Sequence, residues 1–275
     1  MKKIILSLIL IITIVTLYGF FIAPNHFKVV EKDIKIANLN EAFNDFKIVE
    51  FSDLLLGSTK NIDDLDEIVT AINELQPDII VFTGDLISPN YVPSESDIKT
   101  IKEKLSILDC TLYKYAIIGD NDQKNLELFE DIFKSSDFKI LDNTSTYLFY
   151  KDVTPIKITG LTDISKIEDA IYMEEEMDTA YNILLTHYPD YIDTISNYNV
   201  DLVLSGHSLK GQIRLPFIGG IIKKSNANTY IDDYYVVNNT TMYVSGGLGC
   251  EYINMRILNK PEINLYCLTK EENGY

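Results

Sequence analysis

The sequence predicts an α/β domain in which helices pack outside buried sheets, preceded by an apolar N-terminal helix. Three observations predict this fold class. An uncharged apolar run opens the chain, strand and helix patterns alternate over the first half, and the second half is rich in strand patterns. Alternating strands and helices are typical of layered folds in which helices cover a sheet. In such folds a ligand binds beyond the carboxyl ends of the strands.

The N-terminal run extends from Ile4 to Ala23 and follows the residues MKK. Crossing a bilayer takes about 20 apolar residues at about 1.5 Å of rise each. A cleaved signal peptide has a shorter apolar core and small residues at its cleavage site, whereas Tyr18, Phe20 and Phe21 occupy that region here. The sequence therefore predicts an uncleaved, single-pass anchor in the cell membrane. The lysines before the run favour a cytoplasmic N-terminus and an extracytoplasmic domain.

Short apolar, β-branched runs and apolar residues at helical spacing predict the other elements. In the first half, strands are predicted at 46–51, 78–85 and 113–120, and helices at 61–76, 96–108 and 123–135. The second half predicts strands around 138–142, 145–150, 155–160, 182–187, 201–206, 241–245 and 262–268. No linker or repeat divides this part. Residues 1–25 are therefore predicted to be the anchor, 26–45 a tether with an edge strand, and 46–275 one domain.

Charge and cysteine content narrow the function classes. The chain has 41 acidic and 24 basic residues and a formal net charge of -17. Such a chain repels nucleic acid unless basic residues cluster locally, and the sequence has no such cluster, so no nucleic-acid partner is predicted. The three cysteines are odd in number and lack CxxC spacing, which argues against a zinc knuckle or a disulfide framework.

Five predicted strands end in residues that can bind a metal. These residues are Asp53, Asp85, Asp120, His187 and His207. A single strand that ends in Asp means little, because Asp is a common turn residue. Five such ends in one chain predict that the side chains converge. Carboxylates that share a small volume need a neutralising cation, so convergence implies a metal or a strongly basic partner.

The order of these motifs resembles a known family. The chain reads D-x-x, GD, GDND, TH and GHSLKGQ, and the calcineurin-like metallophosphoesterases carry D-x-H, GD, GNHD, H and GHxH. The similarity extends through residues 211–220, 240–249 and 255–265, a tail that is similar to the membrane-anchored bacterial branch of the family. The resemblance implies a four-layer αββα sandwich of two mixed sheets, with a dinuclear metal site at the strand ends.

Two ligand positions of that dinuclear site carry leucine in this chain. By resemblance, one ion would be held by Asp53, Asp85 and histidines at positions 55 and 209, which are Leu55 and Leu209 here. Leucine binds no metal, and both changes fall on the same ion. The resemblance therefore implies that this ion has been lost and that Asp53 is a remnant of its site.

The second ion keeps a full set of candidate ligands. By resemblance these are Asp85, Asp120 in place of the family's asparagine, His187 and His207. Two imidazoles and two carboxylates suit Mn, Fe or Zn. The prediction is one divalent metal. The alternative is that Asp120 and the two histidines only terminate strands.

Two further positions concern the reaction. Asn121 stands where the family has a histidine that contacts phosphate and assists the leaving group. An amide can hydrogen-bond to a phosphate but cannot deliver a proton, and general acid catalysis contributes typically about 10²- to 10⁴-fold. Lys210 follows Leu209, and the sequence leaves two roles for it open. Its ammonium either lies beside Asp53 as a phosphate contact in place of the missing ion, or it is exposed to solvent.

Three function hypotheses follow. The first is a membrane-anchored, extracytoplasmic, metal-dependent phosphoesterase with one metal and no catalytic histidine, hence slow or narrow in range. Its substrate would be a phosphorylated small molecule or a lipid headgroup. The second is an inactive pseudophosphatase that acts as a binding module. The third is a purely structural role in the cell envelope, which predicts no bound metal.

Overall fold

The computed structural model describes residues 1–271 and begins with a helix that lies largely apart from the rest of the chain. Helix α1 (Lys2–Phe21) is exposed along most of its length. With the residues up to Asn25, it is long and apolar enough to cross a membrane. Its last turn contacts the domain, where the backbone N–H of Arg256 donates a hydrogen bond to the carbonyl of Gly19 at 2.9 Å.

The described residues form five further helices and fourteen strands. The helices are α2 (Leu65–Glu74), α3 (Glu95–Ser106), α4 (Leu126–Ser135), α5 (Ile167–Ile171) and α6 (Ile192–Ile195). The strands of the first half are β1 (Lys28–Ile36), β2 (Phe46–Phe51), β3 (Ile79–Phe82), β4 (Tyr113–Ala116) and β5 (Phe138–Ile140). The remaining strands are β6 (Thr144–Leu148), β7 (Ile156–Leu161), β8 (Tyr181–Thr186), β9 (Leu202–Ser205), β10 (Arg214–Leu215), β11 (Gly219–Gly220), β12 (Tyr234–Val237), β13 (Thr240–Val244) and β14 (Glu262–Lys270).

Twelve of the strands form two mixed, six-stranded sheets. The first sheet has the order β1-β14-β2-β3-β4-β5, and only the pairing of β14 with β2 is antiparallel. The second has the order β12-β13-β9-β8-β7-β6, in which the two edge pairings are antiparallel. The strands β10 and β11 form a separate hairpin. The predicted fold class, two mixed sheets flanked by helices behind an apolar N-terminal helix, is confirmed.

Alternating side chains on each strand divide the core into three layers. On β2, Val49 and Phe51 belong to the cluster that packs under α2, α3 and α4, while Phe46 and Ile48 belong to the cluster between the two sheets. A third cluster joins α5 and α6 to the outer face of the second sheet. Successive residues of a strand point to opposite faces, so one strand supplies two layers at once. The helices therefore cover both outer faces, and the strand ends remain free to carry the site.

Several predicted strands are shorter in the structure, and the difference lies at the site. The strands predicted at 78–85 and 113–120 end at Phe82 and Ala116. Their last residues leave the sheet as loops. The helices α5 and α6 and the strands β10 to β12 were not predicted, because two to five residues are too short to show a periodic pattern. Strand β1 lies at the edge of its sheet, and the division at residues 25 and 45 stays a prediction.

The first sheet contains a buried carboxyl group. Glu50 is fully buried and accepts hydrogen bonds from the hydroxyls of Thr83 (3.0 Å) and Tyr266 (2.7 Å) and from the amide of Asn264 (3.3 Å). Burial raises the pKa of Glu50 from 4.5 to about 7. The unfolded chain thus releases this proton at lower pH than the folded chain does. The contribution of Glu50 to stability is therefore lost as pH rises from about 4.5 to about 7.

We expect Glu50→Gln to remove this pH dependence. Glutamine keeps a hydrogen-bonding group of the same shape but does not ionise. Between about pH 5.5 and about pH 8, the unfolding free energy of the wild type should fall by about 2 kcal/mol relative to that of the variant. Urea unfolding of both proteins in detergent measures this difference. A constant difference at all pH values would show that Glu50 does not titrate in this range.

Candidate metal centre

The five strand-end residues lie at the carboxyl ends of strands from both sheets. The first sheet supplies three of them, because its adjacent parallel strands β2, β3 and β4 are followed by Asp53, Asp85 and Asp120. The second sheet supplies the other two, because its adjacent parallel strands β8 and β9 are followed by His187 and His207. The carboxyl ends of parallel strands meet at one edge of a sheet. Because the two sheets pack face to face, the edge of one sheet delivers carboxylates and the edge of the other delivers imidazoles.

Four of these residues form a compact group that could hold a metal ion. One ligand atom from each of Asp85, Asp120, His187 and His207 lies within 4.8 Å of the others. Oδ1 of Asp120 lies 3.2 Å from Nε2 of His187 and 3.3 Å from Nδ1 of His207. The two ring nitrogens are 3.1 Å apart. Oδ2 of Asp85 lies 3.5 Å from Nε2 of His187.

Backbone carbonyls fix which ring nitrogens carry hydrogen. Nδ1 of His187 lies 2.7 Å from the carbonyl oxygen of Thr83. Nε2 of His207 lies 2.9 Å from the carbonyl oxygen of Ser225. A carbonyl only accepts, so both of these nitrogens donate, and the lone pairs of the other two nitrogens face each other inside the group. Two lone pairs beside two carboxylates repel one another unless a cation lies between them. The donor set therefore fits a divalent ion.

The electrostatics of the group lead to the same result. Burial disfavours a charged imidazole, but the carboxylates of Asp85 and Asp120 outweigh this effect and raise the pKa of His187 well above its ordinary value. Burial would likewise raise the pKa of Asp120, but hydrogen bonds and charge from His187 and His207 hold it well below its usual range. The group attracts positive charge strongly, whether that charge is a proton or a metal ion.

Two residues of the GDND sequence position the carboxylate of Asp85. Asn121 donates from its backbone N–H (2.9 Å) and from its side-chain amide (2.7 Å) to the two oxygens of Asp85. The buried carboxylate of Asp122 accepts from the backbone N–H groups of Asp85, Leu86 and Gly119 at 2.7 to 3.0 Å. The sequence alone does not predict Asp122 as a site residue. Its position directly after Asp120 and Asn121, at the end of a predicted strand, is the feature that could have indicated it.

The loops that carry the group are tightly packed and strained. Asp53, Asp85 and His207 have φ values of 47°, 64° and 63°, a region that non-glycine residues rarely adopt. A Cβ atom on Gly119 would overlap the carboxylate of Asp85, and one on Gly206 would overlap the hydroxyl of Ser52. Glycine is therefore required at these two positions because a side chain would not fit there. Neither residue has the left-handed backbone that also favours glycine.

Comparison with known proteins assigns the family. The family described as "Calcineurin-like phosphoesterase" matches residues 46–211, which is more than half of the chain. The chain belongs to the calcineurin-like phosphoesterases. Among curated relatives, the uncharacterized metallophosphoesterase YkuE of Bacillus subtilis is 32% identical, with 91% of this chain and 88% of that protein covered.

Other relatives of this phosphoesterase carry more specific names. A Danio rerio protein called "Transmembrane protein with metallophosphoesterase domain" is 30% identical, with 93% of this chain and 61% of that protein covered. The Chlamydia muridarum UDP-2,3-diacylglucosamine pyrophosphatase LpxG is 24% identical, with 87% of this chain and 88% of LpxG covered. Among solved structures, the Thermus thermophilus sulfate thiohydrolase SoxB shares the fold at 8% identity and a TM-score of 0.50, with 82% of this chain and 57% of SoxB covered.

The side of this phosphoesterase site next to Asp53 is apolar and contains an unpaired acceptor. Oδ2 of Asp53 accepts from the hydroxyl of Ser52 (2.6 Å) and from the backbone N–H of His207 (3.0 Å). Oδ1 is buried and has no hydrogen-bond partner in the described part of the chain. Leu55 and Leu209 are both buried, each against a glycine of the 245–249 loop that also borders Asp53. Asp53 is not one of the four grouped residues.

Lys210 has neither of the roles considered for it from the sequence. The residue is buried, so it is not a solvent-exposed lysine. Its ammonium forms ion pairs with Asp233 and Glu262 and makes no contact with Asp53 among the described residues, so it does not lie beside Asp53 as the first role required. The reason is that Lys210 itself has left-handed backbone, with a φ of 48°, inside a tight turn.

A different lysine, Lys224, supplies positive charge to this phosphoesterase site. Its Nζ donates to the carbonyl of His207 at 2.6 Å and lies 3.5 Å from Nδ1 of the same residue. It also forms an ion pair with Glu251. Burial alone would lower the pKa of Lys224, but the charges of Asp53 and Glu251 outweigh burial and raise it. The side chain is therefore a buried ammonium ion beside the four grouped residues.

Lys224 could not be recognised as a site residue from the sequence, because two consecutive lysines in a loop are typical of an ordinary charged surface. Only the folded chain shows that Lys223 is exposed and Lys224 is buried. The site remains open at Asp120, whose side chain is 37% exposed. A phosphate group entering from solvent would meet Asp120 before the three buried members of the group.

Proposed function

We propose that this chain is a membrane-anchored phosphoester hydrolase that works with one divalent ion and faces the extracytoplasmic side. The observation that carries the proposal is the convergence of two imidazole lone pairs, fixed by backbone carbonyls, with two carboxylates. Asp85, Asp120, His187 and His207 would hold the ion, and this set suits Mn, Fe or Zn. The anchor is supported by the apolar helix and by the transmembrane name of a relative.

The number of ions follows from the residues around Asp53. Leu55 and Leu209 offer no ligand on that side, while the ammonium of Lys224 brings a fixed positive charge whose strongest attraction is to Asp53. We therefore assign one metal ion to the four grouped residues and assign the place of the second cation to Lys224. The negative charge of Asp53 favours this ammonium without an ion-pair contact among the described residues, and its Oδ2 accepts a hydrogen bond from the backbone N–H of His207.

The metal ion and the residues around it would have different roles in hydrolysis. When bound, a divalent ion supplies charge that polarises a phosphoryl oxygen and makes water more acidic. Asn121 and Asp122 hold Asp85 in position, and the carbonyls of Thr83 and Ser225 hold the two imidazoles. The ammonium of Lys224 attracts the anionic substrate and stabilises the negative charge that develops on phosphorus oxygens.

The leaving group receives no proton from histidine. The chain has three histidines, of which two belong to the group and His26 is exposed next to the anchor. We therefore propose substrates whose leaving group departs without protonation, such as pyrophosphate linkages or aryl esters, in a phosphorylated small molecule or a lipid headgroup. The name of LpxG, a pyrophosphatase of an acylated sugar nucleotide, supports this choice.

One observation favours a second candidate, an inactive pseudophosphatase that binds a ligand. The side chain of Asn121 is already hydrogen-bonded at both ends, because its amide donates to Asp85 and its oxygen accepts from Lys124 at 2.7 Å. The residue at the position of the family's catalytic histidine is thus used to build the site and is not free to contact substrate. Turnover measurements decide between the two candidates.

The test uses the full chain in detergent. We expect one Mn, Fe or Zn ion per chain by mass spectrometry, and hydrolysis of bis-p-nitrophenyl phosphate and of a pyrophosphate diester, with no measurable hydrolysis of alkyl phosphates. One bound metal without any turnover would favour the binding module. A chain that binds no metal at all would contradict both candidates. The variant Leu55→His with Leu209→His and Asn121→His then shows whether turnover returns when family residues are restored.

A further inference from the structure

The β10–β11 hairpin exposes apolar side chains that have no partner among the described residues. Phe217 at its tip is fully exposed, and Ile218 is 71% exposed. Leu215 and Ile221 on either side and Leu258 in a neighbouring loop are also exposed, Leu258 to 70%. Monomeric soluble domains seldom concentrate large apolar residues on one protruding element, and such patches mark interaction surfaces.

The base of this hairpin is linked to the end of the anchor through residues 256 and 257. The backbone N–H of Arg214 donates to the carbonyl of Ile257 at 2.9 Å, and that of Arg256 donates to the carbonyl of Gly19 at 2.9 Å. A Cβ atom on Gly19 would come within 3.0 Å of Ile257, so the last turn of α1 packs directly on this segment. The hairpin is therefore continuous with the point where the anchor meets the domain.

The last turn of the anchor marks the membrane boundary. Tyr18, Phe20 and Phe21 lie there, and aromatic residues are typical of the membrane–water interface. Arg256 and Ile257, which pair with the hairpin base, contact Gly19 in the middle of this aromatic group. Apolar side chains on a short element at this level are within reach of the headgroups.

The same edge of the molecule carries the candidate metal centre. Strand β1 begins at Lys28, three residues after the end of the apolar segment at Asn25. It is parallel to β14, and β14 is antiparallel to β2, so β1 and β2 run in opposite directions. The start of β1 therefore lies at the edge where β2 ends and Asp53 follows. Gln212, before the hairpin, also holds the rim of the site, because its oxygen accepts from the backbone N–H of Glu251 at 2.8 Å.

We infer that the β10–β11 hairpin and Leu258 insert into the lipid bilayer beside the anchor and hold the candidate metal centre at the membrane surface. Interfacial apolar segments enter about 5–10 Å into the boundary between headgroups and acyl chains. The bilayer is the occupant because the segment that pairs with the hairpin base, residues 256 and 257, is also hydrogen-bonded to the last turn of the proposed membrane-spanning helix. A second membrane contact beside the anchor restricts the tilt of the domain relative to the membrane.

The absence of tryptophan from the chain allows a direct test. Phe217→Trp places the only tryptophan at the exposed tip, where it fits without repacking. The full chain is incorporated into lipid nanodiscs that hold one chain each, made with phosphatidylcholine carrying either ordinary or brominated acyl chains. We expect a blue-shifted emission in ordinary lipid and a loss of emission in brominated lipid. Leu258→Trp serves as a second probe of the same surface.

Val153→Trp is the matched control. Val153 is 82% exposed and lies between β6 and β7, at the opposite edge of the second sheet from His187. Its tryptophan should emit as in water and should lose no emission in brominated lipid. Equal emission from the Phe217 and Val153 variants in both lipids would overturn the inference. Discs that hold two chains are measured as well. A blue shift that appears only in those discs and is not quenched by bromine would also overturn the inference, because a second copy of the chain would then cover the hairpin. None of these readouts requires turnover.

Discussion

Replacing His187 with alanine should abolish tight binding of the divalent ion. Its Nε2 lies 3.1 to 3.5 Å from a ligand atom of each of the other three residues. Loss of groups that only orient ligands typically costs about 10- to 100-fold in metal affinity, so removal of a ligand should cost about 100-fold or more. Titration calorimetry with Mn and Zn on the full chain in detergent measures the loss.

Thermal unfolding gives an independent readout of the same change. Wild-type protein should be stabilised by about 2.7 kcal/mol at an ion concentration of about 100 times Kd, because the ion binds only the folded chain. The His187→Ala variant should show no such increase. His26→Ala is the matched control, since His26 is the one exposed histidine and lies outside the group. If His187→Ala binds metal as tightly as His26→Ala does, the four residues do not form the metal site.

Replacing Lys224 with methionine should reduce hydrolysis by about 10²- to 10³-fold, the range found when one preorganised donor is removed from an active site. Methionine keeps the length of the side chain but removes the ammonium. The affinity for the first metal ion should change little, because the four ligands are untouched. The affinity for inorganic phosphate should fall in parallel with turnover, which gives a readout that does not depend on catalysis.

The neighbouring lysine provides the control for this variant. Lys223 is exposed, so Lys223→Met removes the same charge from the same loop without touching the site. Hydrolysis and phosphate binding that survive Lys224→Met unchanged would contradict the role of Lys224 as a second cation. Combining Lys224→Ala with Leu55→His and Leu209→His should raise the metal content from one to two ions per chain, because it removes the ammonium and restores the ligands.

The sequence was sufficient to predict the parts of the site that follow from strand direction. A carboxylate or imidazole at the end of an apolar strand is brought to the sheet edge by the parallel arrangement alone, which is how Asp85, Asp120, His187 and His207 could be placed together. The two-sheet architecture was expected only from the resemblance of the motifs to a known family, and the order of the strands confirms it. Their function as ligands stays a prediction until metal is measured.

The lysines could not be assigned in this way. The partners of Lys210 are Asp233 and Glu262, and those of Lys224 are His207 and Glu251, all of them 17 or more residues away along the chain. A flexible side chain in an irregular loop has no periodic pattern to indicate its direction. Choosing between neighbouring lysines requires knowledge of which one the tertiary structure buries, and that depends on loop geometry with several residues in left-handed backbone.

The position of β14 has a consequence for how the protein is made. This strand lies between β1 and β2, so β1 has no neighbour in its sheet until residues 262–270 are available. At about 5–20 residues per second, synthesis of the intervening stretch takes on the order of 10 s or more. The anchor is complete long before then. The apolar helix α1 is therefore synthesised while the first sheet is still open, and β1 can join that sheet only after β14 has been made.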